Sequence, residues 1–344
     1  MPTTAATAAA EATAADTREA LPSVLIVSLG GTIAMTAGPD GGAVPRLTAA
    51  DLVAAVPGLD RYARLEVLDF RQQPGASLLI EDVAELAREL DSRAAQGTAG
   101  FVVTQGTDTI EETAYLLDLL YTGRPPVVVT GAMRNPSLAG ADGPANLLAA
   151  VQSAAAAEAA GLGCVVLFAD AVHAASLVRK VHSTGITAFA SPDAGPLGQV
   201  VEGELRLLLT VRRAPARVAL PFTRQARVAL IPAALGDDGE LLAGLEGRFD
   251  GVVIAAFGAG HVPQGWVARL ERLAAAVPVV LASRTGAGPV LSRTYAFPGS
   301  EHDLLSRGLI SAGRLDPLKA RLLLTALLRA EVGHDGIVAA FAQR

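Results

Sequence analysis

The chain has 344 residues, 51% of them hydrophobic and 18% charged, enough for two domains with separate cores and incompatible with a disordered chain. A net charge of −6 and a pI near 5.4 exclude the basic surface that neutralises nucleic-acid phosphates. The mean hydropathy of +0.40 reflects alanine and not a membrane span, because no apolar run approaches the ~20 residues a bilayer requires. The single cysteine, Cys164, and five scattered histidines offer neither a disulfide framework nor a metal-ligand spacing.

Residues 1–21 read as an Ala/Thr-rich disordered tail, without the basic start and unbroken apolar stretch of a secretory signal, so the expected compartment is the cytoplasm. Short β-branched runs bounded by Gly or Pro follow at 24–28 (VLIVS), 101–104 (FVVT), 127–130 (VVVT) and 165–168 (VVLF), and again at 228–231, 252–255 and 279–281. Between them, residues 80–90 (IEDVAELAREL) and 110–120 (IEETAYLLDLL) place apolar side chains at three- and four-residue steps, and 146–159 is an Ala-rich helix. A strand pair, QVVEGELRLLL, precedes an arginine- and proline-rich stretch without a clean period, and an amphipathic helix (LDPLKARLLLTALL) lies near the C-terminus. The expectation is an α/β protein. A larger N-terminal domain at 22–210 has a parallel sheet wound on both faces. A linker at 211–227 leads to a smaller α/β domain at 228–344.

Ligands of open α/β sheets sit beyond the carboxyl ends of the strands, which directs attention to the strand tips. The first tip reads Ser28-Leu-Gly30-Gly31-Thr32-Ile33, where two glycines admit a positive φ and leave backbone N–H groups beside a hydroxyl. That is the composition of a nucleophile next to an oxyanion hole, and equally of a plain glycine turn. The order is not the G-x-G-x-x-G of a dinucleotide fingerprint. The 101–104 tip reads Thr104-Gln105-Gly106-Thr107-Asp108-Thr109, again glycine followed by hydroxyl and carboxylate at a helix start. Its ordinary reading is a capping box, Asp108 with Glu111 or Thr109 with Glu112. Asp142 reads as a helix cap or a turn carboxylate, with Pro144 early in the helix it opens. Gly258-Ala-Gly260-His261, after the strand at 252–255, is a weaker candidate for a ligand-facing turn.

Lys180 stands out by scarcity. Only two of the 28 basic residues are lysine, Lys180 and Lys319, so this surface hardly uses lysine as a solvated charge. Arginine keeps its proton at working pH, whereas a lysine can be tuned to release it. Lys319 lies in the C-terminal amphipathic helix and reads as structural.

GGTIA, TQGTDTIEETAYLLDLL, GAMRNPSLAGADGPANLLAAV, RKVHSTGITAF…PLG and GRLDPLKARLLL run in order over about residues 22–330, and together they resemble the bacterial L-asparaginase family. The resemblance implies a two-domain α/β hydrolase that converts asparagine to aspartate and ammonia without metal or organic cofactor. It implies a homotetramer built from dimers, or a homodimer, with sites completed at an interface. Thr32 matches the family's first catalytic threonine, and Thr107, Asp108 and Lys180 match its Thr-Asp-Lys set. In that reading Thr32 attacks the amide and backbone N–H groups around Gly31 and Gly106 hold the oxyanion. Thr107, bonded to Lys180, prepares the hydrolytic water or, in a rival assignment, attacks first. Asp108 pairs with the substrate α-ammonium. Three places depart from the family. Residues 33–47 lack the usual loop tyrosine, leaving the activator of Thr32 unassigned. The carboxylate-binding segment falls at 71–77, with Gln73 or Ser77 to fill the role. The neighbour-subunit asparagine becomes Ala259 or His261. A glutaminase, another small amidase and a non-catalytic amino-acid sensor therefore stand as alternatives.

Overall fold

The computed structural model describes residues 20–31, 33, 35–37, 43–45, 48–211 and 218–343, with backbone alone for 35–37 and 43–45. Residues 1–19 of the expected tail, Thr32, and 212–217 of the expected linker lie outside the described residues. The chain divides into two compact units, Met1–Arg213 and Ala214–Arg344. Among the described residues no helix is long and apolar enough to cross a membrane.

In the first unit, β1 (Ser23–Ser28) is followed by a small antiparallel ribbon of β2 (Met35–Ala37) and β3 (Ala43–Pro45), helix α1 (Ala49–Ala54) and β4 (Arg64–Asp69). Then come α2 (Ile80–Ala95), β5 (Gly100–Thr104), α3 (Ile110–Leu120), β6 (Val127–Thr130), α4 (Gly143–Ala155) and β7 (Cys164–Phe168). Strands β4, β1, β5, β6 and β7 lie side by side and parallel. Every residue of β5, β6 and β7 is buried, as is β1 after Ser23, so both sheet faces are covered. Val24, Ile26, Val102, Val128 and Val165 pack with Leu52 of α1 and with Leu147, Ala150 and Val151 of α4. Burying such an aliphatic side chain contributes about 1.5–3 kcal/mol.

The expected α/β sheet is present and extended: it has eight strands and is mixed. Strand β8 (Ala171–Ala174) runs antiparallel to β7, β11 (Gly198–Val201) antiparallel to β8, and β12 (Glu204–Leu207) antiparallel to β11. The cause is local. Ala169 and Asp170 both take positive φ, as do Glu202 and Gly203, and two such residues make the tight turn that reverses a strand without a crossover helix. Between β8 and β11 the chain makes a second ribbon, β9 (Arg179–Lys180) paired with β10 (Phe189–Ala190).

The second unit is a four-stranded parallel sheet in chain order, β13 (Val228–Pro232), β14 (Gly251–Ala256), β15 (Val279–Ser283) and β16 (Ile310–Ser311). Helices α5 (Val267–Ala276), α6 (Glu301–Ser306), α7 (Pro317–Arg329) and α8 (His334–Ala342) accompany it. Its core gathers Val252, Ile254, Trp266, Leu270, Leu281 and Leu304.

Candidate active site

Beyond the parallel strands of the first unit, the backbone itself forms the site floor. Leu29 N–H donates to the Thr104 carbonyl (2.8 Å), Gln105 N–H to Thr130 O (3.1 Å) and Gln73 N–H to Leu29 O (3.3 Å), so the pairing continues past the strand ends. Gly30 and Gly31 have φ of +94° and +92°. A Cβ on Gly31 would lie 1.9 Å from Gly106 N, and one on Gly30 would lie 2.8 Å from Gln73 N. A Cβ on Gly75 would lie 3.0 Å from Gly106 O. Glycine is required where three turns, from different strands, press backbone on backbone.

The capping reading of the Gly106–Thr109 turn is corrected. Thr109 makes no side-chain cap bond to helix α3. Its hydroxyl donates to Gly75 O (3.0 Å) and accepts from the buried Gln105 amide (3.2 Å). Asp108 reaches instead to Lys180, whose Nζ donates to Asp108 Oδ1 at 3.0 Å and to Thr107 Oγ1 at 2.9 Å. Thr107 is buried, the Lys180 side chain is 15% exposed, and the Asp108 side chain is 71% exposed. The lysine therefore approaches from inside and the carboxylate faces outward. A carboxylate exposed this far is open to an external cation.

Of the two readings of Asp142, the structure takes the turn carboxylate. It makes no side-chain cap bond, although Pro144 does sit in the first turn of α4. Its carboxylate accepts from Met133 N–H and Arg134 N–H and from the Asn146 amide (3.2 Å). Asn146 further bridges Gly131 O and Ala169 N–H, fixing the β6 tip against the end of β7. Gly131 in turn leaves room for Gln105 O and the Thr107 methyl.

The structure thus brings together Gly31, Gly106, Thr107, Asp108, Lys180 and the backbone of Gln73. The Gln73 side chain donates to Asp82 Oδ2 (3.3 Å), and Ser77 is exposed at the end of a short turn, Gly75–Ser77. Burial raises the Asp82 carboxyl, but the Leu79 N–H, the Arg71 guanidinium and the Gln73 amide outweigh it and hold it below the usual carboxylate range. Thr32 lies outside the described residues, as does most of the loop after it. In the second unit, His261 Nε2 sits 3.2 Å from Oε2 of the fully buried Glu301, with its ring edge-on to Tyr295 and Phe297. Among the described residues no group of three or more His, Cys, Asp or Glu side chains is arranged to hold a metal ion.

Sequence reasoning assigned no role to Gln105, Asp82 or Asn146. Gln105 was visible within TQGTD, and Asn146 within ADGPAN, but their partners are far away in sequence.

Comparison with known proteins gives a consistent picture. The family model for the asparaginase N-terminal domain matches residues 23–212, and that for the glutaminase/asparaginase C-terminal domain matches 227–341. A probable L-asparaginase of Deinococcus radiodurans is 37% identical over 328 residues, covering 94% of this chain and 98% of that protein. L-asparaginase 2 of Escherichia coli is 33% identical over 326 residues, 90% of this chain and 89% of that protein. The crystal structure of a probable cytoplasmic L-asparaginase from Campylobacter jejuni superposes with a TM-score of 0.84 at 31% identity, over 94% of this chain and all of that one (100%).

Proposed function

The chain belongs to the asparaginase family, and from that premise we propose that it hydrolyses the side-chain amide of L-asparagine to L-aspartate and ammonia. The observation that carries this reading is the bond of the Lys180 ammonium to both Thr107 (2.9 Å) and Asp108 (3.0 Å), beside the Gly31–Gly106 contact at the strand tips.

In the mechanism we infer, the Thr32 hydroxyl adds to the amide carbon, and N–H groups of the glycine turns hold the oxygen that becomes negative. The C–N bond breaks, the nitrogen takes up a proton and leaves as ammonia, and an aspartyl ester remains on Thr32. Water then cleaves that ester, giving aspartate and restoring the hydroxyl. Thr107, held by Lys180, orients this water, whose proton passes to the departing Thr32 oxygen. Asp108 pairs with the substrate α-ammonium and selects an α-amino acid. Gln73 and Ser77 are the residues we propose for the substrate carboxylate. Catalysis at 22–210, a linker at 211–227 and a companion domain at 228–344 is the division that fits the two family matches.

The name of the C-terminal family and a glutaminase-asparaginase of Pseudomonas fluorescens, 31% identical over 327 residues, favour glutamine as a second substrate. We propose a homotetramer or homodimer, testable by light scattering. The compartment we propose is the cytoplasm, as in the description of the Campylobacter protein; a relative in Haemophilus influenzae is described as periplasmic, so cell fractionation is the test.

The deciding assay couples ammonia release to asparagine, glutamine and short blocked amides at matched concentrations. Asparagine should be turned over fastest, and Thr32→Ala should abolish release while the protein stays folded. Substantial activity in that variant overturns the nucleophile assignment. Calorimetric binding of asparagine without ammonia over hours overturns the hydrolytic reading in favour of a sensor.

A further inference from the structure

Lys180 is delivered by a slight piece of structure. Strands β9 and β10 contribute two residues each, with Lys180 opposite Phe189 and Arg179 opposite Ala190. The connecting segment 181–187 is exposed apart from half-buried Gly185, and Val181 N–H to Ala188 O (2.7 Å) is its link across the ribbon mouth. So short a ladder does not fix a lysine side chain to within hydrogen-bond reach of two acceptors. Before β9, Leu177 and Val178 N–H both donate to Ala174 O (3.0 Å each) and Val178 is fully buried; the β10 side is held by side chains.

Two side-chain contacts hold the β10 side. Phe189, directly across from Lys180, packs its ring on Phe168 at the end of β7, centroids 4.8 Å apart. Ser191, the residue after β10, shares a proton with His173 on β8: Oγ to Nδ1 is 3.0 Å, and each residue is only 4% exposed. His173 is itself held in the main sheet, paired with Val166 of β7. Ser191 O in turn accepts from Ala194 and Gly195 N–H, so its position sets the turn that follows the ribbon. The aromatic contact is apolar and permits sliding; the serine–histidine bond is directional and does not.

We propose that the His173–Ser191 hydrogen bond is a positioning device for Lys180, tying the ribbon that carries the lysine to the central sheet at one register. The role rests on Lys180 serving the hydrolytic site argued above. His173 touches neither substrate nor the reacting atoms and acts through the lysine alone. Burial lowers its tendency to take a proton, which suits a neutral imidazole that keeps one nitrogen as acceptor or donor to the serine.

Only two lysines occur in the chain, so protein labelled with 13C at lysine Cε gives two signals. Lys180→Arg assigns the one that vanishes, and Lys319, fully buried in the other unit, is an internal reference. Ser191→Ala and His173→Leu should each shift or broaden the Lys180 signal toward that of a solvated lysine and leave Lys319 unmoved. Both should lower kcat on asparagine by ~10–100-fold, the penalty of a misplacement near 1 Å, with KM moving far less. The double variant should be no worse than either single one, because both remove the same bond. Ser191→Thr and His173→Asn, which keep a hydroxyl and a polar atom near Nδ1, should restore signal and rate. An unmoved Lys180 signal in folded Ser191→Ala overturns the proposal, and that variant carries the test if His173→Leu fails to fold. Joint movement of both lysine signals with a lowered Tm also overturns it, as the mark of a merely structural bond. Wild-type protein that releases no ammonia yet shows the selective Lys180 shift sustains the positioning role and overturns the hydrolytic reading instead.

Discussion

The chain's two lysines both make ion pairs with aspartate, and the pairs differ in kind. Lys319 and Asp316 are three residues apart at the start of α7, with Nζ to Oδ2 at 2.8 Å and side chains 0% and 8% exposed. Asp316 also caps the helix, accepting from Leu318 and Lys319 N–H at 2.9 and 3.1 Å. Lys180 and Asp108 are 72 residues apart, and their carboxylate faces outward at 71% exposure. The first pair is made by neighbours three residues apart at a buried helix end. The second is assembled from two separate strand tips and keeps its charged face open. A buried local pair is a structural commitment, because breaking it leaves a charge in a low dielectric. An open long-range pair contributes little to stability, about 0–1 kcal/mol, and is suited to exchange partners with a ligand.

The largest effects should therefore separate by observable. Asp316→Ala removes a cap and the carboxylate beside a buried ammonium, and should cost about 3–5 kcal/mol of stability in urea melts while the folded fraction keeps its activity. Adding Lys319→Met to that variant, an apolar residue of similar length, should recover about half of the loss. Lys180→Ala should do the reverse: ammonia release should drop by ~10³-fold or more, about 4 kcal/mol, with the melt displaced by less than ~1 kcal/mol. Loss of activity in the first variant or loss of fold in the second would erase the distinction.

Asp108→Asn is a finer probe. It keeps the shape and an acceptor for Lys180 but removes the charge that would face a substrate ammonium. Stability should change by less than ~1 kcal/mol, and KM for asparagine should rise by roughly tenfold. A change in kcat alone, with KM unmoved, would assign Asp108 to the lysine and not to the substrate.

How much of this was readable in advance follows the same division between local and distant. The buried strands at 24–28 and 101–104 and the helix at 110–120 were legible because apolar periodicity and glycine boundaries are local signals. Thr107, Asp108 and Lys180 could be singled out by their place after a strand and by lysine scarcity, but nothing in the spacing placed Nζ between the other two. The capping box that the spacing also offered is not the arrangement Thr109 adopts. Thr109 and Asp108 bond to tertiary partners, Gly75 and Lys180, that lie far away in sequence. The antiparallel pairing of β7 with β8 was not legible because the reversal at Ala169–Asp170 uses positive φ without glycine or asparagine, the residues that announce such a turn. The edge strand Arg64–Asp69 was missed because it lacks the continuous burial of its neighbours. Asp142 carries an ordinary cap signature, and only the fold shows that its carboxylate clamps the β6 tip.

The smallest effect expected concerns acid, and it separates the lysine-bearing ribbon from the rest. Burial depresses the proton affinity of His173 below its ordinary value of 6.5. In the unfolded chain that histidine takes up its proton as pH falls through about 6.5, while the folded protein leaves it neutral until a lower pH. The unfolded state then binds more protons, so stability is complete above about 6.5 and declines on acidification, at no more than about 1.4 kcal/mol per pH unit for one group. Asp51, Asp82 and Glu301, held below the carboxylate range, add their losses only at lower pH still, so between about 6.5 and 5 wild type and a His173 variant should part. Urea melts of wild type and His173→Asn across that interval measure the difference. The variant, with nothing to protonate at this position, should show the shallower decline. Equal slopes would mean that the buried imidazole accepts its proton in place, and that the ribbon holding Lys180 tolerates acid as well as the core around Lys319 does.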